Sequence, residues 1–434
     1  MTIWLLKYPF TAVVALFLCA CQPPQNAIET AKQIDGPTFD AQDVWHDIRK
    51  DFDLFYSYRD LRGFDADAYL GRVGDIVVNA EDRDAFRAAL HRATFAFTDP
   101  HLGFGPRTDA DFNTIPTAAD VQVGYENGRY VILDVRADSA ALSAGLRPGW
   151  EILAIDGTAM DAHIEAIFDG LIDQPDTAQR AYAATLAANG RRAGERHLDL
   201  RLPNGTEQTV TLANPRTLAT AVMARPMIET RRINAADSTE IAVLRINNRL
   251  GDNGLITAFD EALQAVLDAD GIILDLRNTP SGGNSEVGRS IMGHFTDSVR
   301  PFQIHEVPSL EREFTVPRRF IEQVFPRAPY FDPAKTVVLG GYWTGSMGEG
   351  IVIGMDALGI KTVASDMGDL LGGMSNFSFD QGRITLSIPT ETLFHVDGTP
   401  REDFTASTAL TSADSDADGS DPALAAALAL LTAP

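Results

Sequence analysis

Apolar positions in residues 41–96 recur every three to four places, as in "VWHDIRKDFDLFY" and "DRDAFRAALHRATFAF". This spacing predicts helices that bury one stripe. The pattern stops at "TDPHLGFGP", where Pro100, Gly103, Gly105 and Pro106 forbid a continued helix. Between about 118 and 214 the period shortens, and "VQVGY", "YVILDV", "EILAID", "LDLRLP" and "QTVTL" read as short strands. From about 225 onward strands alternate with helical runs: "IAVLRI", "NGLITAFDEALQAVLDA", "GIILDL", "EVGRSIMGHF", "TVVLGG" and "EGIVIGMDALG". Such alternation predicts parallel β-α units, with the fully apolar "GIILDL" and "TVVLGG" buried on both faces. The fold class expected is therefore α/β multidomain: a helical N-terminal domain over 38–115, a β domain over 116–215 and an α/β domain over 216–434.

Charge and the N-terminus narrow the partners. The 434 residues carry a formal net charge of −24. Nucleic acid is excluded as a partner, because phosphate backbones need clustered Lys and Arg, and an anionic membrane surface would repel the chain. Lys7 followed by "FTAVVALFLCAC" reads as a secretory signal too short to span a bilayer securely. Its end, "LCAC", resembles the bacterial lipobox. The resemblance implies cleavage after residue 20, lipidation of Cys21, a polar linker over 22–37 and membrane contact through that lipid anchor alone. Gln22 points, by similarity to Gram-negative sorting, to a periplasm-facing outer-membrane lipoprotein with a lipoprotein signal peptide over 1–21; a plain signal peptide or an uncleaved anchor is the alternative. No cysteine follows Cys21, which excludes disulfides and thiol catalysis in the mature chain.

Candidate chemistry begins at "YWTGSMGEG", residues 342–350, where a strand is expected to become a helix. Ser346 then stands at a helix N-cap, where free N–H groups and the positive dipole end could stabilise an oxyanion. Ser346 and Glu349 also form an S-x-x-E capping box, which helices carry without any catalytic role. The nucleophile elbow of α/β-hydrolases is excluded, since Thr344 occupies a position where it needs glycine. A second stretch, "GIILDLRNTPSGGNS" at 271–285, ends a buried strand in a turn rich in Pro280, Gly282 and Gly283. Asp275 and Arg277 within it are expected to form a structural ion pair. In the tail, Asp414, Asp416 and Asp418 look like the start of a calcium loop. Ala425 stands where the bidentate Glu is required, so an acidic helix cap is expected and no metal.

Two family resemblances follow. "ADSAALSAGLRPGWEILAIDG", residues 137–157, closely resembles a bacterial PDZ domain, with Trp150 where Asp is usual. PDZ domains add an extended peptide tail to a sheet edge. The succession of helical part, PDZ-like part, D-L-R-N-x-P-S-G-G and S-x-x-E resembles the C-terminal processing, or tail-specific, serine peptidases. The resemblance runs to about residue 404. It implies a ClpP/crotonase-like catalytic core, peptide or protein substrates with free C-terminal tails, and no cofactor. It also implies Ser346 as nucleophile and an oxyanion hole from the Met347 amide with Gly282 or Gly283.

That family supplies the base in two ways. One branch places a lysine twenty-five residues after the serine; Leu371 stands there, and Lys335 and Lys361 do not match. The tricorn-like branch uses a histidine from the helical domain in a motif resembling D-x-H-[TSL], which implies His101. Pro100 replaces the serine that links this histidine to a glutamate in tricorn. The glutamate is matched by Glu402 in "DGTPREDF", with Glu391 in reserve and Glu349 expected as a cap or supporting group. The other histidines, His305 among them, lie in no motif. The function expected is a serine endopeptidase of the cell envelope acting through an acyl-enzyme. The rival is a non-catalytic peptide-binding or adaptor lipoprotein.

Overall fold

The computed structural model describes residues 39–235 and 239–433. The expected signal segment, Cys21 and the linker lie outside them. Helices Ala41–Phe55, Ala66–Val77 and Arg83–Thr94 form where helical spacing predicts them, each started by an aspartate, Asp40, Asp65 or Asp82, whose carboxylate accepts first-turn N–H bonds. Phe52, Tyr56, Phe64 and Tyr69 surround Phe97, with ring centroids 5.1–5.7 Å from it. Tilted and edge-on rings of this kind make a rigid base for the turn that follows.

The β module is an antiparallel sheet in the order Val121–Glu126, Arg129–Val135, Glu151–Ile155, Arg196–Arg201, Glu207–Leu212. Gly145 and Gly149 adopt φ of 91° and 87°, the left-handed turns that "GLRPGW" predicts. Helix Thr177–Asn189 packs along the edge strand Val121–Glu126, and two of its side chains bond backbone groups at the start of that strand. Asn189 accepts from the Asp120 and Val121 amides at 2.8 and 3.3 Å and donates to the Val121 carbonyl at 2.8 Å. The Thr185 hydroxyl accepts from the Val123 amide at 3.2 Å. A peptide tail added as a strand would need those same groups, so at Val121 and Val123 the tail-binding expectation meets backbone groups already bonded by side chains.

The α/β part holds a six-stranded sheet in the order Thr408–Ala409, Lys361–Ala364, Thr336–Gly340, Gly271–Asp275, Glu240–Ile246, Ile228–Asn234; only the last pair is antiparallel. Its two central strands are buried throughout, as their apolar runs predict. Ile272, Leu274 and Val338 pack on one face with Phe259, Ile291 and Ile351 from three helices. Ile273, Val337 and Leu339 face Ala423 and Ala427 of the final helix, Pro422–Thr432. Buried Arg277 bonds Asp275 at 2.9 Å and Asp421 at 2.8 Å, so the expected ion pair forms and reaches the last helix. Asp421, rather than the earlier tail aspartates, caps that helix by accepting the Leu424 amide. Among the described residues no acidic or histidine cluster could hold a metal ion.

A further sheet positions the histidine motif. Strand Gly103–Gly105 pairs antiparallel with Ile384–Phe394, with Phe104 opposite Leu386. The same long strand pairs with Gly373–Phe379 and with Arg300–Glu306. The segment after the helical bundle is thereby drawn across the chain onto the α/β part.

Candidate active site

Helix Met347–Ala357 begins directly after the turn that leaves strand Thr336–Gly340. Between residues 336 and 355 every side chain is buried except Ser346. Ser346 has φ 52° and ψ −111°, a backbone conformation that L-residues adopt only under constraint. The Glu349 carboxylate accepts the Ser346 amide and so fixes the helix start. Burial pushes the Glu349 carboxyl up to about 8, against the opposing pull of Arg401 at 3.8 Å. Arg401 also donates to the Ser346 carbonyl at 3.4 Å and to the Leu370 carbonyl.

The glycine turn meets this serine through a two-bond bridge. The Thr279 amide donates to the Trp343 carbonyl at 3.1 Å, and the Gly345 amide donates to the Thr279 carbonyl at 3.0 Å. Gly282, with φ 68°, is then so close that a Cβ built on it would stand 2.2 Å from the Ser346 Cβ and 3.0 Å from the Met347 nitrogen. A Cβ on Gly283 would instead strike the Leu250 backbone at 2.1 Å. The Gly282 amide is directed to the Thr279 carbonyl at 3.4 Å, whereas the Gly283 amide has no acceptor among the described residues. Of the two expected oxyanion glycines, Gly282 supplies close approach, and Gly283 with Met347 supplies the N–H groups that remain to receive charge.

His101 lies on the same cavity of about 880 Å³ as Ser346, Met347, Gly282 and Gly283. Its Nδ1 is 2.6 Å from the Leu371 carbonyl. That oxygen can only accept, so Nδ1 carries the proton and Nε2 keeps the lone pair. Burial pulls the imidazole down to about 3, and the Arg401 charge adds to this while the Leu371 bond opposes it. Asp99, wholly buried, accepts the His101 amide at 2.9 Å and the Tyr56 hydroxyl at 3.1 Å. Its carboxyl is pushed up to about 7 by burial. Among the described residues no hydrogen bond joins His101 to Ser346.

Of the two expected carboxylates, Glu391 lines the cavity and Glu402 does not. Glu402 sits in the turn Arg401–Asp403 beside Tyr58, whose phenol pKa is raised by burial and by the Glu402 charge. Glu391 does line the cavity, but its carboxylate bonds His305 Nδ1 at 2.8 Å. Burial lowers the His305 pKa, yet Glu322 and Glu391 outweigh it and the net shift is upward. His305, Arg401 and the Leu371 carbonyl meet the site without belonging to any matched motif, whereas Asp99 is the first residue of the D-x-H motif. For Arg401 a signal existed: a buried S-x-x-E glutamate calls for a nearby cation.

No protein-family model matches the sequence, and no curated protein matches it. Solved structures do resemble the fold. Mature CPAF complexed with lactacystin superposes with a TM-score of 0.59 at 13% identity, covering 87% of this chain and 94% of that one. The photosystem II D1 C-terminal processing protease gives 0.52 at 14% identity, covering 86% and 94%. The mixed α/β architecture with N-terminal helices and several sheets is the fold expected, and these neighbours share it.

Proposed function

We propose that this protein is a serine-type peptidase of the tail-specific kind. The observation that carries it is the single cavity on which the strained, half-buried Ser346, the Nδ1-protonated His101 and the uncommitted Gly283 and Met347 amides converge. Ser346 Oγ attacks the scissile carbonyl carbon while His101 Nε2 takes its proton. The two amides receive the oxyanion, and His101 returns the proton to the departing amine. Water then attacks the acyl-enzyme, giving its proton to His101, which passes it to Ser346 Oγ as the ester bond breaks and the acid product leaves. The fold neighbours include a C-terminal processing protease, which supports peptide substrates entered near their C-termini. Because the β-module edge is occupied, the substrate segment is held by the cavity itself.

The lipid anchor at Cys21 belongs to the same proposal, placing the enzyme in the cell envelope on the periplasmic side. Loss of palmitate incorporation in Cys21→Ser checks it. For the enzyme, a fluorophosphonate probe should label the wild-type chain and leave Ser346→Ala unlabelled at unchanged melting temperature. Absence of wild-type labelling, with a folded protein, would favour the non-catalytic peptide binder.

A further inference from the structure

A second cavity, of about 480 Å³, opens between helix Arg83–Thr94, residues 108–112 and helix Met160–Phe168. It shares no lining residue with the Ser346 cavity. Part of its wall is apolar: Phe95, Phe112, Ile167 and five alanines. The rest includes three arginines, Arg87, Arg92 and Arg191, against one carboxylate, which runs against the −24 charge of the chain. Its one carboxylate, Asp111, is already engaged by Arg87 at 2.9 and 3.1 Å.

Two donors are left over. Arg92 makes no ion pair among the described residues, and its buried Nε has no hydrogen-bond partner. His91 is 3% exposed, and its Nδ1 accepts the Phe104 amide at 3.4 Å. The neutral ring therefore carries its proton on Nε2, a buried N–H with no partner in the protein. A buried donor without an acceptor is unfavourable and calls for an occupant. At the mouth, the Arg191 guanidinium lies 4.9 Å over the Phe112 ring and extends the cationic surface.

We propose that this cavity binds a small organic carboxylate with an apolar chain or ring, its oxygens accepting from Arg92 and His91 and its body resting on Phe95, Phe112 and Ile167. Arg92 and Arg191 both lack an ion pair among the described residues, and the apolar part of the wall calls for an occupant with an apolar body, which an organic carboxylate carries and a bare phosphate does not. The volume is within the roughly 300–1,000 Å³ range of ordinary ligand sites. The site is independent of the peptidase proposal.

Calorimetric titration of the full chain with 4-phenylbutyrate, 4-phenylbutyramide and 4-phenylbutylamine tests this. Saturable one-to-one binding of the acid is expected, with the amide weaker by about tenfold or more and the amine silent, since only the acid offers a charge-assisted acceptor. Arg92→Gln should weaken the acid by about fivefold or more, and Ala88→Leu, at an exposed rim position, should block entry without unfolding the chain. The proposal is overturned by no binding of the acid, by equal binding of acid and amide, or by wild-type affinity in both variants.

Discussion

His101 ends its Nδ1 hydrogen bond on a main-chain carbonyl, that of Leu371 at 2.6 Å, where serine peptidases of the triad type use a carboxylate. A carbonyl fixes the tautomer as well as a carboxylate does. It offers only a partial charge to the imidazolium that forms during proton transfer, and the neighbouring Arg401 charge disfavours that cation further. Leu371 is the residue twenty-five positions after Ser346, and its carbonyl meets His101 Nδ1.

The pH dependence of turnover follows. With the folded imidazole pulled down to about 3, His101 stays unprotonated, and able to accept a proton, throughout the neutral and mildly acidic range. The expected profile of kcat/KM on a peptide substrate has no acid limb near the ordinary histidine value of about 6.5. A limb centred there, abolished by no other histidine substitution, would assign the base an ordinary solvated environment and contradict the buried one.

Stability should shift in opposite directions for two groups. The unfolded chain binds the His101 proton near its ordinary value of about 6.5, and the folded chain only near 3, so the unfolded state holds more protons between them. The His101 contribution is complete above the unfolded value and is lost as pH falls through this window; His101→Gln should flatten that acid-side slope. Glu349 runs the other way, because its folded pKa is raised to about 8 from 4.5. Its contribution is complete below 4.5 and is lost as pH rises toward 8. Glu349→Gln, neutral at every pH, should therefore gain melting temperature relative to wild type as pH climbs from 5 to 8. Parallel melting curves at pH 5 and 8 decide both.

The backbone of Ser346 gives a prediction that separates catalysis from folding. A non-glycine residue at φ 52° and ψ −111° stores strain on the order of 1–3 kcal/mol. Ser346→Gly relieves it and should melt above Ser346→Ala, while neither variant is labelled by a fluorophosphonate. Denaturant midpoints for the two variants measure the difference, and equal midpoints would mean that the backbone relaxes freely.

Gly282→Ala should remove activity by displacing the nucleophile rather than by unfolding. The added methyl would sit 2.2 Å from the Ser346 Cβ, a separation no packed pair tolerates. Gly283→Ala meets the Leu250 backbone instead, which cannot turn aside as a side chain can, so its first effect should be on the melting temperature. Reading kcat and melting temperature for both variants separates these outcomes.

What was legible in the chain depended on whether its cause is local. Ser346 is marked by its own neighbourhood: an apolar strand, glycines, then S-x-x-E. The Asp275–Arg277 pair is equally local, two positions apart on one strand end. His101 is half legible, since Pro and Gly mark its turn, but its carbonyl partner lies 270 positions away and any residue type supplies a carbonyl. Arg401 and Glu402 differ by one position in a tight turn, and only the turn's orientation decides which faces the cavity. Hydrophobic period carries no record of that orientation, nor of the pairing between Gly103–Gly105 and Ile384–Phe394 that delivers His101.

The occupied edge of the β module makes the last prediction. "GLRPGW" specifies the turns of a tail-binding module, yet the groups a tail would use are taken by Asn189 and Thr185. Strand addition would have to break these bonds and move the helix end, where Ala183, Ala184, Ala187 and Ala188 are buried against the sheet. The Val121 and Val123 amides should accordingly be slow to exchange with solvent deuterium in the peptide-free protein, and their rates should not change when a peptide ending in an apolar residue is added. Thr185→Val removes the acceptor for Val123 and should speed its exchange while leaving Val121 protected. A peptide that slows exchange at both amides in the wild-type chain would show that the helix end opens and that the edge is a working receptor.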